Sequence, residues 1–209
     1  MDILWLVISA IVGDLLGSIN GAVLISKIFY GSDIRTHGSG NAGTTNMLRT
    51  FGKKAAAGTF LVDLLKGVVA ALLCGFFVKF VGVEIGYDIG ACIGGAFAIL
   101  GHNWPLYFGF KGGKGVLTSF AVFAVLSTIP AFCALGVFII VVAICRYVSL
   151  GSMVAALSLP VWIWLFYGFT PMFYLGIFAA VLLIARHYAN IGRLIHGTES
   201  KLGQKSKKE

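Results

Sequence analysis

The chain has 209 residues, 58% of them hydrophobic and only 11% charged. An average soluble domain carries roughly 25% charged residues, so this composition excludes a soluble globule and points to membrane helices joined by short loops. The net charge is +8, but the Lys and Arg residues cluster in particular connections, which argues for membrane orientation and anionic ligands rather than nucleic acid.

The first apolar run extends from Ile3 past Gly13 to about Ile28. Its first charge is Asp2, with no basic cluster and no small-x-small cleavage site, so a retained span is expected rather than a cleaved signal. Asn20, after Gly17 and Ser18, is suited to face a neighbouring helix. The second and third runs cover about 55–82 and 87–108. Asp63 and Lys66, three apart in the second, can pair; such a pair is often structural, though a charge inside a membrane is first of all a functional candidate.

The runs at 115–148 and 152–187 are too long for single spans. A helix of about 34 residues would be about 50 Å long, against about 30 Å of hydrocarbon. Each carries a breaker near its middle, Ser127 to Pro130 in one and Gly168 to Pro171 in the other. Splitting both predicts an all-α integral membrane protein of about seven transmembrane helices. Arg35, Arg49, Lys53 and Lys54 follow span one, Lys111 and Lys114 follow span three, Arg146 follows span five, and Arg193 and Lys201 follow span seven. The alternation places the N-terminus outside and the C-terminus in the cytoplasm. Residues 1–200 then form a single polytopic domain. Residues 201–209 form a basic tail, expected to be disordered and drawn to anionic lipid. Cys74, Cys92, Cys133 and Cys145 sit singly in apolar runs and read as small buried hydrophobes. No internal repeat points to an inverted-repeat transporter.

Three cytoplasmic segments are chemically dense. The first, from Arg35 to Arg49, contains His37, Gly38, Ser39, Gly40, Asn41, Gly43, Thr44, Thr45 and Asn46. Its glycines can turn backbone N–H groups toward a ligand, its Ser, Thr and Asn add donors, and Arg49 offers a fork suited to phosphate. A solvated loop that caps a helix is the plainer reading. The second runs from Gly101 and His102 through Trp104 and Pro105 to Lys111, Gly112, Gly113, Lys114 and Gly115. Where this string opens a helix it fits either a bound phosphate or a basic turn facing lipid headgroups. It is not a Walker A loop, because Gly115 stands where Ser or Thr would bind magnesium. Trp104 and Tyr107 read as interface anchors. In the third, Arg186 to Glu199, His187 and Asn190 share one helix face if span seven continues that far. Such a pair suits proton transfer or orientation, although a lone interfacial His is usually just solvated. Ser149, beyond Arg146, fits either the same site or a helix cap.

Spacing excludes several enzyme classes. No histidine is followed five residues on by Asp, Gly-x-Ser-x-Gly is absent around Ser39 and Ser149, and neither His-Glu-x-x-His nor an acidic two-metal cluster occurs. What remains is a metal-free set without a cofactor, suited to polarising phosphorylated substrates that are already activated. On these residues alone, a transporter of small organic phosphates and a scaffold whose loops recruit partners also stay open.

Gly38-Ser39-Gly40-Asn41-x-Gly43-x-Thr45-Asn46-x-x-Arg49, Gly101-His102-x-x-Pro105 with Phe110 to Gly115, and Arg186-His187-x-x-Asn190-Ile191-x-Arg193-Leu194 with Gly197-Thr198-Glu199 resemble the bacterial acyl-phosphate:glycerol-3-phosphate acyltransferases (PlsY-type). Asp63-x-x-Lys66-Gly67 and Arg146-Tyr147-Val148-Ser149 add to the resemblance, while Thr44 stands where Ala is common. It implies a seven-span bundle in the bacterial plasma (inner) membrane with its active site facing the cytoplasm. The implied activity moves a fatty acyl group from acyl phosphate to the first (sn-1) hydroxyl of glycerol 3-phosphate, giving lysophosphatidic acid and phosphate. Partners would be those two substrates and membrane lipid, with a functional link to the enzyme that makes acyl phosphate. By resemblance, Ser39, Arg49, His187 and Asn190 are critical for activity, Gly112 and Gly113 lie in the glycerol-phosphate loop, and Glu199 supports the site. Lys111, Lys114 and the Gly112 and Gly113 amides are expected to hold one phosphate. Arg49 and the 39–46 loop, with Gly40, Asn41, Thr45 and Asn46, are expected to hold the other. Ser149 joins the substrate-binding set, and Asp63 and Lys66 the supporting one.

Overall fold

The computed structural model describes residues 2–82 and 86–204, and every regular element among them is helical. The chain divides into two compact units, one reaching from Met1 to Val122 and one from Phe123 to Gln204.

The first unit contains α1 (Asp2–Gly17), α2 (Gly21–Tyr30), α3 (Thr44–Thr50), α4 (Lys53–Phe80) and α5 (Gly86–Asn103), and α6 (Val116–Leu126) begins in it. The first apolar run, expected as one continuous span, is two helices. The chain leaves the helix after Gly17, and Asn20, in extended conformation, caps α2 by accepting a 3.1 Å bond from Val23 N. Helix α1 packs closely on α5: a Cβ at Gly13 would overlap the backbone of Gly94, and one at Gly17 the backbone of Ala98. Lipid tails are as apolar as any side chain, so such close van der Waals contact is what holds helices together in a bilayer. Helix α4 packs on both. Small residues fill the interior, including Ala70, Ala71, Ala91 and Ala98, while Phe76, Phe80 and Leu61 point outward. Large apolar side chains outside and small or polar ones inside suit a protein solvated by lipid.

The second unit holds α7 (Thr128–Cys145), α8 (Val148–Tyr167), α9 (Pro171–Arg186) and α10 (Tyr188–Ile195), with α8 packed on α7 and α9. The breaks before α7 and α9 fall at Ser127 and at Gly168 to Thr170, as the breakers predict. Pro130 and Pro171 both lie in first helical turns, where a missing N–H costs no intrahelical bond. Helices α9 and α10 meet at His187 with a bend of 58°. This corrects the expectation of one straight helix presenting His187 and Asn190 on a shared face.

Among the described residues four helical stretches are long and apolar enough to cross a membrane: the broken Asp2–Tyr30, Lys53–Phe80, Thr128–Cys145 and Val148–Tyr167. The bent pair Pro171–Arg186 and Tyr188–Ile195 gives a fifth if the two helices form one span. Cys74 and Cys92 are buried and Cys133 and Cys145 half-buried, all as free thiols. Of the expected tail, Leu202 exchanges two hydrogen bonds with Arg146, through its N–H at 2.7 Å and its carbonyl at 2.9 Å; residues 205–209 lie outside the described residues.

Candidate functional site

In the first unit the glycine-rich segment is organised by Asn46, which is buried on α3. Its Nδ2 donates to the carbonyls of Ile34, His37 and Asn41 at 3.3, 2.9 and 3.1 Å, and its Oδ1 accepts from Ser39 N at 3.1 Å. The N–H groups of Gly40 and Gly43 donate to His37 O and Asn41 O. Expected as ligand donors, Asn46 and these amides are instead spent on the loop itself, because a turn this tight must satisfy its own polar backbone. Ser39 and Gly40 are left exposed, Asn41 and Thr45 are half-buried, and Arg49 is half-buried in the last turn of α3.

Beneath this loop lies a buried charged cluster. Lys66 Nζ stands 3.0 Å from Asp63 Oδ1, donates to Ile19 O at 2.8 Å, and lies 2.9 Å from His102 Nδ1. Asp63 Oδ1 also accepts from Gly21 N at 3.3 Å. An ammonium only donates, so His102 Nδ1 is the acceptor. The pair predicted from spacing is therefore real. It joins the α1–α2 break to the end of α5, which is how a buried ion pair is made tolerable. Sequence reasoning passed over His102 as its third member.

The loop from Trp104 to Gly115 leaves α5 at this cluster. Gly112 N donates to Asn103 O at 3.2 Å and Gly113 N to His102 O at 3.1 Å. The two amides expected to grip phosphate donate to backbone carbonyls in this structure. These positions are glycine because of close packing: a Cβ at Gly112 would overlap His102 O, and one at Gly113 would overlap the His102 ring. Lys111 is exposed and Lys114 half-buried. Arg35, half-buried beside Asp33, donates through Nη1 to Phe108 O at 2.6 Å and to Lys111 O at 3.0 Å. The structure so brings the first two sequence segments together.

In the second unit the expected residues gather around Glu199. Its Oε1 accepts from Ser149 Oγ and from Asn190 Nδ2, each at 2.7 Å, and its Oε2 accepts from Arg193 Nε at 2.7 Å. Burial raises the Glu199 pKa, but the three hydrogen bonds and the Arg193 charge outweigh it, and the carboxyl sits below its ordinary range. Ser149, expected as a substrate contact, is buried and spends its hydroxyl proton on Glu199. His187 is buried, with Nδ1 2.8 Å from Leu183 O. A carbonyl only accepts, so Nδ1 carries a proton. Among the described residues no three His, Cys, Asp or Glu side chains are grouped as metal ligands.

Residues 7–197 match the glycerol-3-phosphate acyltransferase family. The glycerol-3-phosphate acyltransferase of Clostridioides difficile (strain 630) is 44% identical over 208 residues, covering 98% of this chain and 99% of that one. That of Thermoanaerobacter sp. (strain X514) is 41% identical over 203 residues, covering 97% and 98%. The fold resembles a crystal structure of PlsY (YgiH), an integral membrane glycerol 3-phosphate acyltransferase, in its glycerol 3-phosphate form. The TM-score is 0.85, with 35% identity over 95% of this chain and 96% of that one. The lysophosphatidic acid form of the same protein gives 0.81 at 32% identity, covering 95% of each chain.

Proposed function

The chain belongs to the glycerol-3-phosphate acyltransferase family, and from that membership we propose that it transfers a fatty acyl group from acyl phosphate to the sn-1 hydroxyl of glycerol 3-phosphate. The products are lysophosphatidic acid and inorganic phosphate, in the first acylation step of bacterial phospholipid synthesis. The observation that carries this reading is the family match over residues 7–197, which covers the first two motif segments and the third as far as Gly197. The protein is a multi-pass membrane protein. In the proposal it crosses the bacterial inner membrane seven times, with the N-terminus outside and the motif segments in the cytoplasm.

Acyl phosphate is a mixed anhydride with a good leaving group, so the protein's task is alignment and charge stabilisation. The hydroxyl oxygen of glycerol 3-phosphate attacks the acyl carbon, the bond from that carbon to the phosphate oxygen breaks, and phosphate leaves with the electron pair. The hydroxyl proton passes to Nε2 of His187 in its neutral form, with the ring oriented by the Nδ1 bond to Leu183 O. Asn190, with its side-chain amide fixed by Glu199, orients the hydroxyl. Lys111 and Lys114 carry the phosphate of glycerol 3-phosphate. Arg49, with Ser39 at the exposed tip of its loop, carries the acyl phosphate. The acyl tail lies among the apolar helices, open to the bilayer.

The purified protein in detergent, supplied with glycerol 3-phosphate and either palmitoyl phosphate or palmitoyl-CoA, tests the donor. Lysophosphatidic acid from palmitoyl phosphate alone is expected; product from palmitoyl-CoA alone would overturn the donor assignment.

A further inference from the structure

The turn that leads into the 111–114 segment is conformationally strained. Gly109 and Phe110 both have positive φ, 65° and 58°. Glycine adopts that region freely, but a bulky aromatic residue rarely does. The carbonyls on either side of the pair, Phe108 O and Lys111 O, accept from the same nitrogen, Arg35 Nη1, at 2.6 and 3.0 Å. The guanidinium is itself fixed, since Nε and Nη2 donate to the two carboxylate oxygens of Asp33 at 2.9 and 2.7 Å. Lys27 Nζ lies 3.5 Å from the same carboxylate. The Arg35 side chain is therefore spent on backbone and Asp33, and its geometry joins the two ends of a turn that strain would otherwise open. A lysine could not do this, because its compact ammonium lacks the planar fork that holds carboxylate and carbonyls at once.

We propose that Arg35 is a positioning residue that braces this turn, so that Lys111 and Lys114 are presented to the phosphate of glycerol 3-phosphate. The inference rests on the reading above, in which those lysines bind that phosphate. Arg35 touches no substrate; it acts through the loop.

The test is Arg35→Gln in the purified full-length protein, read by KM for each substrate, kcat, and hydrogen exchange over residues 106–112. KM for glycerol 3-phosphate should rise about tenfold, in keeping with lost charged hydrogen bonds. KM for palmitoyl phosphate and kcat should stay within about twofold of wild type, and exchange in the turn should quicken. Adding Phe110→Gly, which removes the strain, should bring KM partway back; a general loss of folding would lower kcat and would not be rescued. Arg35→Lys, which keeps the charge, should give an intermediate KM and covers the case in which Arg35→Gln does not fold. Lys114→Ala separates the two ideas. If Lys114→Ala raises KM for glycerol 3-phosphate while Arg35→Gln and Arg35→Lys leave it unchanged, the brace is refuted and the loop reading stands. If Lys114→Ala also leaves it unchanged, the loop reading itself fails.

Discussion

Asn190 donates a 2.7 Å hydrogen bond to Glu199, on the same carboxylate oxygen that accepts from Ser149. One acid thereby fixes residues from two helices, and Arg193 holds its other oxygen. Glu199→Gln places an amide among three donors and leaves one of them opposed by N–H. Each buried hydrogen bond so lost costs about 1–3 kcal/mol. Turnover should fall between about tenfold and a hundredfold, as steady-state rates will show; near wild-type turnover would mean that Asn190 does not need its anchor.

The same carboxylate sets a pH dependence. Its folded pKa is lowered from 4.5, chiefly because three hydrogen bonds and Arg193 overcome the burial that raises it. The ionised form is therefore the one that stabilises the fold. That contribution is complete above the unfolded value near 4.5 and is lost as pH falls through the lower folded value. Thermal unfolding in detergent should show this as a loss on acidification below about pH 4.5 that is smaller in Glu199→Gln. An identical acid loss in both proteins would remove Glu199 from the account.

His187 tests the proton path. Its Nδ1 is held by Leu183 O, and in the proposal Nε2 takes the hydroxyl proton. His187→Ala should lower kcat by about a hundredfold to ten-thousandfold, the usual contribution of general base catalysis, with a smaller change in KM. Turnover close to wild type would assign the proton to a substrate phosphate oxygen instead.

The buried cluster of Asp63, Lys66 and His102 makes a stability prediction. Lys66→Met leaves Asp63 buried without its cation, at a cost of about 3–5 kcal/mol. Asp63→Leu combined with Lys66→Met removes both charges and should be less damaging than Lys66→Met alone. Unfolding midpoints in detergent compare the two, and the opposite order would mean that the pair contributes more than mutual neutralisation.

What could be read from the sequence was what depends on neighbours along the chain. The breaks before α7 and α9 follow from Ser127, Pro130, Gly168 and Pro171, and the Asp63–Lys66 pair follows from its spacing. The break at Ser18 to Asn20 was hidden because no proline marks it in the apolar run, and its partners, such as Lys66 to Ile19 O, come from α4. The direction of the Gly112 and Gly113 amides was hidden for a related reason: a glycine permits close approach, but only the fold says whether ligand or backbone approaches it. The contact of α1 with α5 was legible and was missed, since Gly13 and Gly17, like Gly90 and Gly94, stand four apart in the pattern that packs membrane helices. The hydrogen bond from Ser149 to Glu199 joins residues fifty apart, and no local signal announces it.

The central claim is acyl transfer from acyl phosphate to glycerol 3-phosphate, and the stoichiometry of a single reaction tests it most directly. Purified protein is given palmitoyl phosphate and glycerol 3-phosphate, and lysophosphatidic acid and inorganic phosphate are followed together. Acyl transfer requires the two to appear in equal amounts, with neither formed when glycerol 3-phosphate is left out. Phosphate released without lysophosphatidic acid, or no product from folded protein, would contradict it.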